Sequence, residues 1–478
     1  MALTNVRHFA LPIAGHMVAT SACEPVHNPF SGAVEATIGV ATQADMDDAI
    51  AAAVHGFQAS RLRPAFQRKS ILSGIAAGLE RRRSEFVEMM VTESGKPRRF
   101  AHIEVDRAIA TFTLAAEETT RMTGEYLPLD LSAATASYSA LVTRFPIGVI
   151  GAIAPFNFPL NLVAHKLAPA IAVGNTMVLK PPPQAPLTSI LLADLCYDAG
   201  LPREEFSVVH CPVAVAESLA TDARIAMLSF TGSAGVGWHL KAVAGKKRVV
   251  LELGGNAAAI VASDADIPWA AKRCALGAFA QSGQVCISVQ RIIVEEPVWE
   301  RFVEAFIQET KMLVIGDPSN PDTMIGPMID EQSARRVIAW VEEALADGAR
   351  AVVKGWSKGT IIAPWIITNT HPSMKIECEE VFGPVATLTK VADLSEAIVL
   401  ANNSRYGLQA GVFTRALGTA FRAYAELEVG GVIIDDYPTF RVDNFPYGGI
   451  KDSGLGREGV AYAMDEMTEL RTLVMNHR

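Results

Sequence analysis

From Leu141 onward, the chain alternates short apolar runs with segments long enough to form helices. The first set of apolar runs comprises Ile147–Ile153, Thr176–Leu179, Ser207–Val209, Met227–Phe230 and Val249–Leu253. A second set comprises Arg291–Val294, Ala351–Val353, Ala386–Leu388, Gly411–Phe413 and Gly431–Ile434. Strands that alternate with helices are typical of a parallel sheet covered on both faces. The pattern therefore predicts an α/β protein with two such domains, dividing near Gly254.

The other segments predict helices and sheet edges. The helical patterns are Ala41–Gly56, with Thr42 as its N-cap, Gln67–Glu93 and Val105–Thr120. Gly124–Arg144 alternates in polarity and is typical of an edge hairpin, and Glu469–Met475 could form a further edge strand. Because unpaired strand edges invite pairing with another chain, we expect a second subunit to bind there.

Composition restricts the class of protein. The chain has 478 residues, half of them hydrophobic and 19% charged, which fits a globular protein of two or three domains. A net charge of −9 without a Lys/Arg stripe argues against nucleic acid as a partner. The most apolar segment, Phe145–Pro155, is shorter than the roughly 20 residues that span a bilayer, and Met1–Pro12 lacks the pattern of a signal peptide. Six cysteines without a CxxC pair indicate neither a metal site nor a disulfide framework, so we expect a reducing cytoplasm.

Candidate site residues follow directly after the predicted strands, where parallel sheets bind ligands. Asn157 lies between two X-Pro steps, and its amide could donate to a developing oxyanion. Lys180 ends the second run and could reach a ribose or a phosphate. Ser229–Gly237 opens a helix, where backbone N–H groups and Ser233 could bind a pyrophosphate. Each segment also fits a plain structural turn, and the glycines of the last one lack the GxGxxG spacing.

A thiol and a carboxylate complete the candidate chemistry. Cys286 follows Gly283 and Gln284, which favours an accessible turn, although a free cysteine is more often a small buried hydrophobic residue. Glu252 lies near the end of the fifth run. A thiolate is a strong nucleophile, and a carboxylate can activate water to release what the thiol captures.

Eight motifs stand in this order along the chain: PFNFP at Pro155–Pro159, GNTMVLKP at Gly174–Pro181, FTGS at Phe230–Ser233, LELGG at Leu251–Gly255, GQVC at Gly283–Cys286, EEVFGP at Glu379–Pro384, ANNSRYGL at Ala401–Leu408 and PYGGIKDSG at Pro446–Gly454. Together they resemble the NAD(P)-dependent aldehyde dehydrogenase superfamily over almost the whole chain. The resemblance implies a Rossmann-like cofactor domain (residues 1–123 and 147–253), an α/β catalytic domain (residues 254–450) and a small β oligomerisation element (residues 124–146 and 463–478). It also implies a homodimer or a homotetramer.

The resemblance further implies a role for each motif residue. Cys286 would be the nucleophile and Glu252 the general base, with Asn157 and the Cys286 backbone N–H as the oxyanion hole. The thiolate would attack an aldehyde, hydride would pass to the nicotinamide, and activated water would hydrolyse the thioester. The implied cofactor contacts are Ala154, Pro155, Phe156, Lys180, Phe230, Gly232, Ser233, Leu253, Gly254, Glu380 and Phe382.

Cofactor preference and substrate are less fixed. Relatives that prefer NAD usually carry an acid at the position of Pro183, so we expect NAD or NADP, with NADP tolerated. The chain resembles the branch acting on small polar aldehydes, such as the lactaldehyde, phosphonoacetaldehyde and glyceraldehyde-phosphate enzymes. The candidate substrate residues are Arg441, Arg107, Arg121, His165, Val285 and Ile287. An arginine cluster would bind a carboxylate, phosphonate or sulfonate, but these arginines also fit surface or interdomain salt bridges.

Three other functions remain open on the sequence alone. A Cys–His thiol hydrolase would need a histidine directed at Cys286. A CoA-acylating dehydrogenase would pass the thioester to CoA, whereas the presence of Glu252 favours hydrolysis. A non-catalytic binding protein on this scaffold is disfavoured because Cys286, Glu252 and Asn157 are all present.

Overall fold

The computed structural model of the chain describes residues 6–478. The sequence predicts no signal peptide in Met1–Pro12, and the first five residues of this segment lie outside the described residues. The first elements are β1 Arg7–Phe9, β2 Leu11–Ile13, β3 His16–Val18, β4 Ala22–His27, β5 Val34–Val40, α1 Gln43–Ser60, α2 Ala65–Arg81, α3 Arg83–Ser94 and α4 Arg98–Glu118. Thr42 caps α1 as predicted, since its hydroxyl accepts from the Asp45 N–H and the Asp45 side chain accepts from the Thr42 N–H.

The middle of the chain alternates strands and helices. Its elements are β6 Glu125–Pro128, β7 Tyr138–Pro146, β8 Val149–Ile153, α5 Asn161–Val173, β9 Thr176–Lys180, α6 Leu187–Asp198, β10 Phe206–Val208, α7 Val213–Ala216, α8 Ser218–Thr221, β11 Ile225–Thr231, α9 Ala234–Val243 and β12 Arg248–Glu252.

The last part alternates in the same way. Its elements are β13 Ala258–Val261, α10 Ile267–Phe279, β14 Arg291–Glu295, α11 Trp299–Lys311, α12 Glu331–Ala346, β15 Arg350–Val353, β16 Ser357–Lys358, β17 Ile361–Ile362, β18 Trp365–Thr368, α13 Lys375–Cys378, β19 Val385–Val391, α14 Leu394–Asn402, β20 Tyr406–Gly407, β21 Gln409–Phe413, α15 Leu417–Glu426, β22 Gly431–Ile434, β23 Ile450–Lys451, β24 Gly454–Leu455, α16 Val460–Glu466 and β25 Thr468–Asn476. Short 3₁₀ turns cover Arg203–Glu205, Ala280–Gly283 and Glu296–Val298.

Two large sheets organise the molecule. The first has the strand order β10-β9-β8-β11-β12-β24. Its first five strands are parallel, and β24 is antiparallel to β12. The second has the order β15-β18-β19-β14-β13-β21-β22, with only β15 antiparallel to its neighbour. This confirms the predicted α/β fold. The chain passes from the first sheet to the second between β12 and β13, which lie on either side of Gly254.

A third sheet lies apart from these two. Its order is β25-β7-β6, and both pairs are antiparallel. β25 therefore has β7 on one side and an open edge on the other among the described strands. The predicted hairpin and the predicted C-terminal strand thus belong to one small sheet.

Helix α5 positions much of the site because it begins just after the loop that follows β8. All thirteen of its residues are buried. Most are apolar, but His165 and Lys166 are also buried, and buried charged or polar groups need partners. Among residues 6–478, no helix is long and apolar enough to cross a membrane.

Candidate active site

Two cavities meet at Cys286, which is partly exposed. One has a volume of about 300 Å³ and the other about 420 Å³. Cys286 and Leu162 line both of them. A group at this position can react with a molecule in the first cavity while a second molecule occupies the other.

The loop before Cys286 has an unusual backbone. Gln281 and Ser282 have positive φ angles of 53° and 59°, and Gly283 follows at 67°. Non-glycine residues rarely adopt this region, so the surrounding contacts must hold it. The Gln281 amide donates to the Asn157 backbone carbonyl at 2.7 Å, and the Ser282 hydroxyl donates to the Gly326 carbonyl at 2.7 Å. The loop therefore joins the segment that carries Asn157 to the segment that carries Cys286.

Asn157 is buried beside this loop, with 5% of its surface exposed. Its amide nitrogen donates to the Gln284 carbonyl at 3.1 Å. An amide nitrogen carries two hydrogens, so one remains for a ligand. This geometry is compatible with the predicted oxyanion role of Asn157.

Glu252 ends β12 and lines the larger cavity. It is buried, and neither carboxylate oxygen has a hydrogen-bond partner among the described residues. Burial, followed by the negative charge of Glu458, raises the pKa of Glu252 well above its ordinary value, while Arg441 and Lys166 oppose this shift. A buried carboxylate without protein partners is free to accept a proton from a nearby water.

The larger cavity contains most of the predicted cofactor contacts. Those that line it are Pro155, Phe156, Gly232, Ser233, Leu253, Gly254, Glu380 and Phe382. Ala154, Lys180 and Phe230 do not line it. Lys180 is buried at the end of β9, where burial lowers its pKa, and the Phe230 ring packs where a side chain at Gly232 would lie.

The lining of this cavity fits a dinucleotide. Ser233 is the N-cap of α9 and makes no side-chain capping bond within the described chain, so the helix start can bind an anion. The Glu380 carboxylate accepts from the Gly255 N–H at 3.0 Å, and it occupies the space that a side chain at Gly254 would fill. Burial raises the pKa of Glu380 to about 7. The Phe156 and Phe382 rings meet edge-on, with centroids 5.9 Å apart.

The smaller cavity contains four of the six predicted substrate residues. Arg107, Arg441, Val285 and Ile287 line it. The Arg441 guanidinium pairs with Glu458 at 2.9 Å and lies 3.8 Å from Asp443, and Arg107 pairs with Asp443 at 2.6 Å. Most of the other lining is apolar or aromatic.

His165 and Arg121 lie outside this cavity, contrary to expectation. His165 is buried on α5, and its Nε2 lies 2.8 Å from Asp443. Burial, followed by the charge of Arg441, lowers the pKa of His165. Arg121 lies beyond the end of α4 with 60% of its side chain exposed, and it pairs with Glu118 at 2.8 Å. His165 therefore contacts Asp443 from α5, outside the cavity, and Arg121 is a surface residue.

Comparison with known proteins identifies the family. A model described as the aldehyde dehydrogenase family matches residues 17–473. The chain belongs to the aldehyde dehydrogenase family. It is therefore an NAD(P)-dependent oxidoreductase that acts on aldehydes.

Relatives match this aldehyde dehydrogenase along its full length. A 3-sulfolactaldehyde dehydrogenase of Priestia aryabhattai is 41% identical over 475 residues, which are 99% of each chain. The crystal structure of aldehyde dehydrogenase 21 from Physcomitrella patens, in complex with the reaction product succinate, is 43% identical with a TM-score of 0.96 over 99% of each chain. An NADP-dependent glyceraldehyde-3-phosphate dehydrogenase from Bacillus halodurans, complexed with NADP, is 34% identical with a TM-score of 0.96, over 98% of this chain and 100% of that one.

Sequence reasoning missed several residues that line the two cavities of this enzyme. In the larger cavity they are Arg336, Trp340, Glu379, Arg405 and Tyr406, and in the smaller one they include Glu104, Phe158, Tyr437, Phe440 and Tyr447. Of these, Phe158, Glu379, Arg405, Tyr406 and Tyr447 stand inside motifs that the sequence already singled out. Arg336 and Trp340 lie on α12, whose amphipathic pattern gives no sign of a site.

Proposed function

We propose that this aldehyde dehydrogenase oxidises a small aldehyde that carries an anionic group, such as a carboxylate, sulfonate or phosphate. The observation that carries the proposal is the smaller cavity, because Cys286 and two arginines, Arg107 and Arg441, line the same space. An aldehyde carbon at Cys286 would leave the other end of a short substrate among these arginines. Guanidinium groups bind such anions through paired N–H donors.

The charge around the arginines also favours an anion. The charge cluster consists of Arg107, Lys166, Arg441, Asp443 and Glu458. Three cations and two carboxylates leave a net charge of +1. Burial lowers the pKa of His165, so this ring adds no charge near neutral pH, and Glu252 lines the other cavity. A substrate anion would complete the balance of charge in this buried region.

The relatives provide independent support. The matched dehydrogenase of Priestia aryabhattai acts on 3-sulfolactaldehyde, which contains a sulfonate. The matched plant structure contains succinate, a product with a second carboxylate. Both compounds are short and carry an anion at the end away from the reacting carbon.

We infer the following roles for the chain's own residues. The Cys286 thiol loses its proton to water, and the thiolate bonds to the aldehyde carbon while the carbonyl electron pair moves to oxygen. The Asn157 amide and the Cys286 backbone N–H hold this oxyanion. When bound, NAD(P)⁺ accepts the hydride that leaves the thiohemiacetal. Glu252 then takes a proton from water, which attacks the thioester, and the acid and the thiolate are released.

We propose that Ser233, at the start of α9, holds the pyrophosphate and that Glu380 holds the nicotinamide ribose. Lys180 would approach the adenosine ribose from the end of β9. Pro183 follows in an exposed turn and provides no carboxylate to repel a 2′-phosphate. This supports the use of NADP, which the matched Bacillus halodurans enzyme also binds.

We also propose a homodimer or homotetramer in a reducing cytoplasm. The open edge of β25 and its exposed apolar side chains, Leu470, Leu473 and Val474, support assembly through this strand. The reducing setting is supported by the six cysteines, which are all unpaired in the described chain.

The substrate proposal is tested by comparing succinic semialdehyde with butanal, a neutral aldehyde of the same length. We expect the wild-type enzyme to prefer succinic semialdehyde. In Arg107→Gln and Arg441→Gln, kcat/KM for succinic semialdehyde should fall about 10–100-fold, because each variant removes a charge-assisted hydrogen bond. Butanal should be affected much less in Arg107→Gln. Arg441→Gln should also slow butanal, because the charge of Arg441 lowers the pKa of Cys286.

The matched control is Arg121→Gln, since Arg121 is exposed and lies outside the cavity. It should leave both rates unchanged. Preference for butanal in the wild type, or an equal loss for both aldehydes in Arg107→Gln, would show that the arginines do not bind a substrate anion.

A further inference from the structure

Tyr447 places a hydroxyl beside the nucleophile. Its oxygen lies 3.1 Å from the Cys286 sulfur, and its ring lines the smaller cavity. Only 2% of its surface is exposed, and it packs against Ile287 and Leu408. Its backbone forms two hydrogen bonds with Glu458, at 2.9 and 2.7 Å. The hydroxyl is thus fixed in position by packing and by the backbone.

The direction of this hydrogen bond follows from acidity. Burial raises the pKa of Tyr447 well above its ordinary value, so the hydroxyl keeps its proton when the thiol has lost its own. A thiolate has no proton to give and can only accept. The Tyr447 O–H therefore donates to the Cys286 thiolate.

Arg441 strengthens this donor. Its guanidinium lies 3.8 Å from the centroid of the Tyr447 ring and is held there by Glu458. A cation over an aromatic ring draws electron density from it, which polarises the phenolic O–H. Burial raises the pKa of the Cys286 thiol to about 11, but the hydrogen bond from Tyr447 and then the charge of Arg441 act in the opposite direction.

We propose that Tyr447 is a further catalytic residue, which stabilises the Cys286 thiolate both as nucleophile and as leaving group. The inference rests on the proposed role of Cys286. During hydrolysis, the water oxygen bonds to the thioester carbon, its proton passes to Glu252, and the carbon–sulfur bond breaks with its electron pair on sulfur. Tyr447 donates to that sulfur and keeps its own proton throughout.

The test is the rate at which iodoacetamide alkylates Cys286 as a function of pH, in the wild type and in Tyr447→Phe. Phenylalanine keeps the buried ring and removes only the hydroxyl. We expect the pKa of the thiol to rise by about one unit, which reduces the thiolate about tenfold at neutral pH. A more basic thiolate is about threefold more nucleophilic, so alkylation should be about threefold slower near neutral pH and about threefold faster at the alkaline plateau.

A crossing of the two pH profiles separates this role from a structural one, because a loosened site would change the rate in one direction at all pH values. The matched control is Tyr197→Phe, which removes a phenol hydroxyl that donates to the Phe206 carbonyl at 2.6 Å, away from both cavities. Its profile should match the wild type. A thermal melt of each variant shows whether it is folded. The thiolate absorbance in the ultraviolet follows ionisation of the thiol independently of alkylation.

The two proposals fail in different ways. If Tyr447→Phe leaves the inflection of the profile unchanged in a folded enzyme, the inference about Tyr447 is wrong while the role of Cys286 stands. If Cys286→Ser still oxidises aldehydes, the proposed function itself is wrong.

Discussion

Asn157 and Glu252 are buried side chains with hydrogen-bonding atoms that have no partner in the part of the chain the structure describes. Such groups are unfavourable in a folded protein unless something else satisfies them. In Asn157 the atom without a partner is Oδ1, whereas the amide nitrogen makes one hydrogen bond and keeps its second hydrogen for a ligand. Glu252 keeps both carboxylate oxygens. The second amide hydrogen of Asn157 and the carboxylate of Glu252 are thus available for the proposed oxyanion and the proposed water molecule.

Replacing Asn157 by alanine tests the oxyanion assignment. We expect kcat to fall by about 10²–10³, the usual effect of removing one donor to an oxyanion. The variant should stay folded, because the lost bond to the Gln284 carbonyl contributes only about 1 kcal/mol. Steady-state rates and a thermal melt measure the two effects separately, and full turnover in a folded variant would remove Asn157 from the mechanism.

At the scale of single elements, the apolar runs located the strands well. Each of the ten predicted strands is present within a few residues, but β13 and β18 were missed, as were the two-residue strands β16, β17, β20, β23 and β24. β13 is alanine-rich and directly follows a glycine motif, so its β propensity is weak. The N-terminal strands were also missed, because β4 is largely exposed and lacks a continuous apolar run. The predicted helix Gln67–Glu93 is two helices that meet at Arg82.

The backbone conformation of the loop before Cys286 could not be predicted from the local sequence. The residues Gln281 and Ser282 are not glycines, yet both have a left-handed backbone. This conformation is fixed by hydrogen bonds to the Asn157 and Gly326 carbonyls, which come from distant segments. Local propensity contains no information about such contacts.

The open edge of β25 predicts how the enzyme assembles. Leu473 is 58% exposed on this strand, and we expect Leu473→Glu to weaken assembly because a charge would be buried at the interface. Sedimentation velocity should then show a smaller species than the wild type. Leu417→Glu is the control, since Leu417 is 76% exposed on α15, away from this edge. A monomeric wild type, or equal behaviour of the two variants, would contradict assembly through β25.

At the scale of the whole molecule, the site depends on residues that are far apart in the chain. Cys286 and Tyr447 are 161 positions apart, and Arg107 and Asp443 are 336 positions apart. The motifs supplied candidates for the nucleophile, the base and the oxyanion donor, because those residues stand in recognisable segments. The pairing of the arginines with carboxylates, and the surface position of Arg121, depend on how the two large sheets and α4 pack together. The sequence could therefore indicate the reaction type, but not which carboxylates pair with the arginines.

The two cavities on either side of Cys286 lead to the central claim that one thiol captures the aldehyde and that water releases the product. The most direct measurement is NAD(P)H absorbance during oxidation of succinic semialdehyde, with and without CoA, together with identification of the product. We expect one NAD(P)H and one succinate per turnover with either nicotinamide cofactor, no effect of CoA, and no turnover in Cys286→Ser. Turnover that requires CoA and yields an acyl-CoA product would contradict this account.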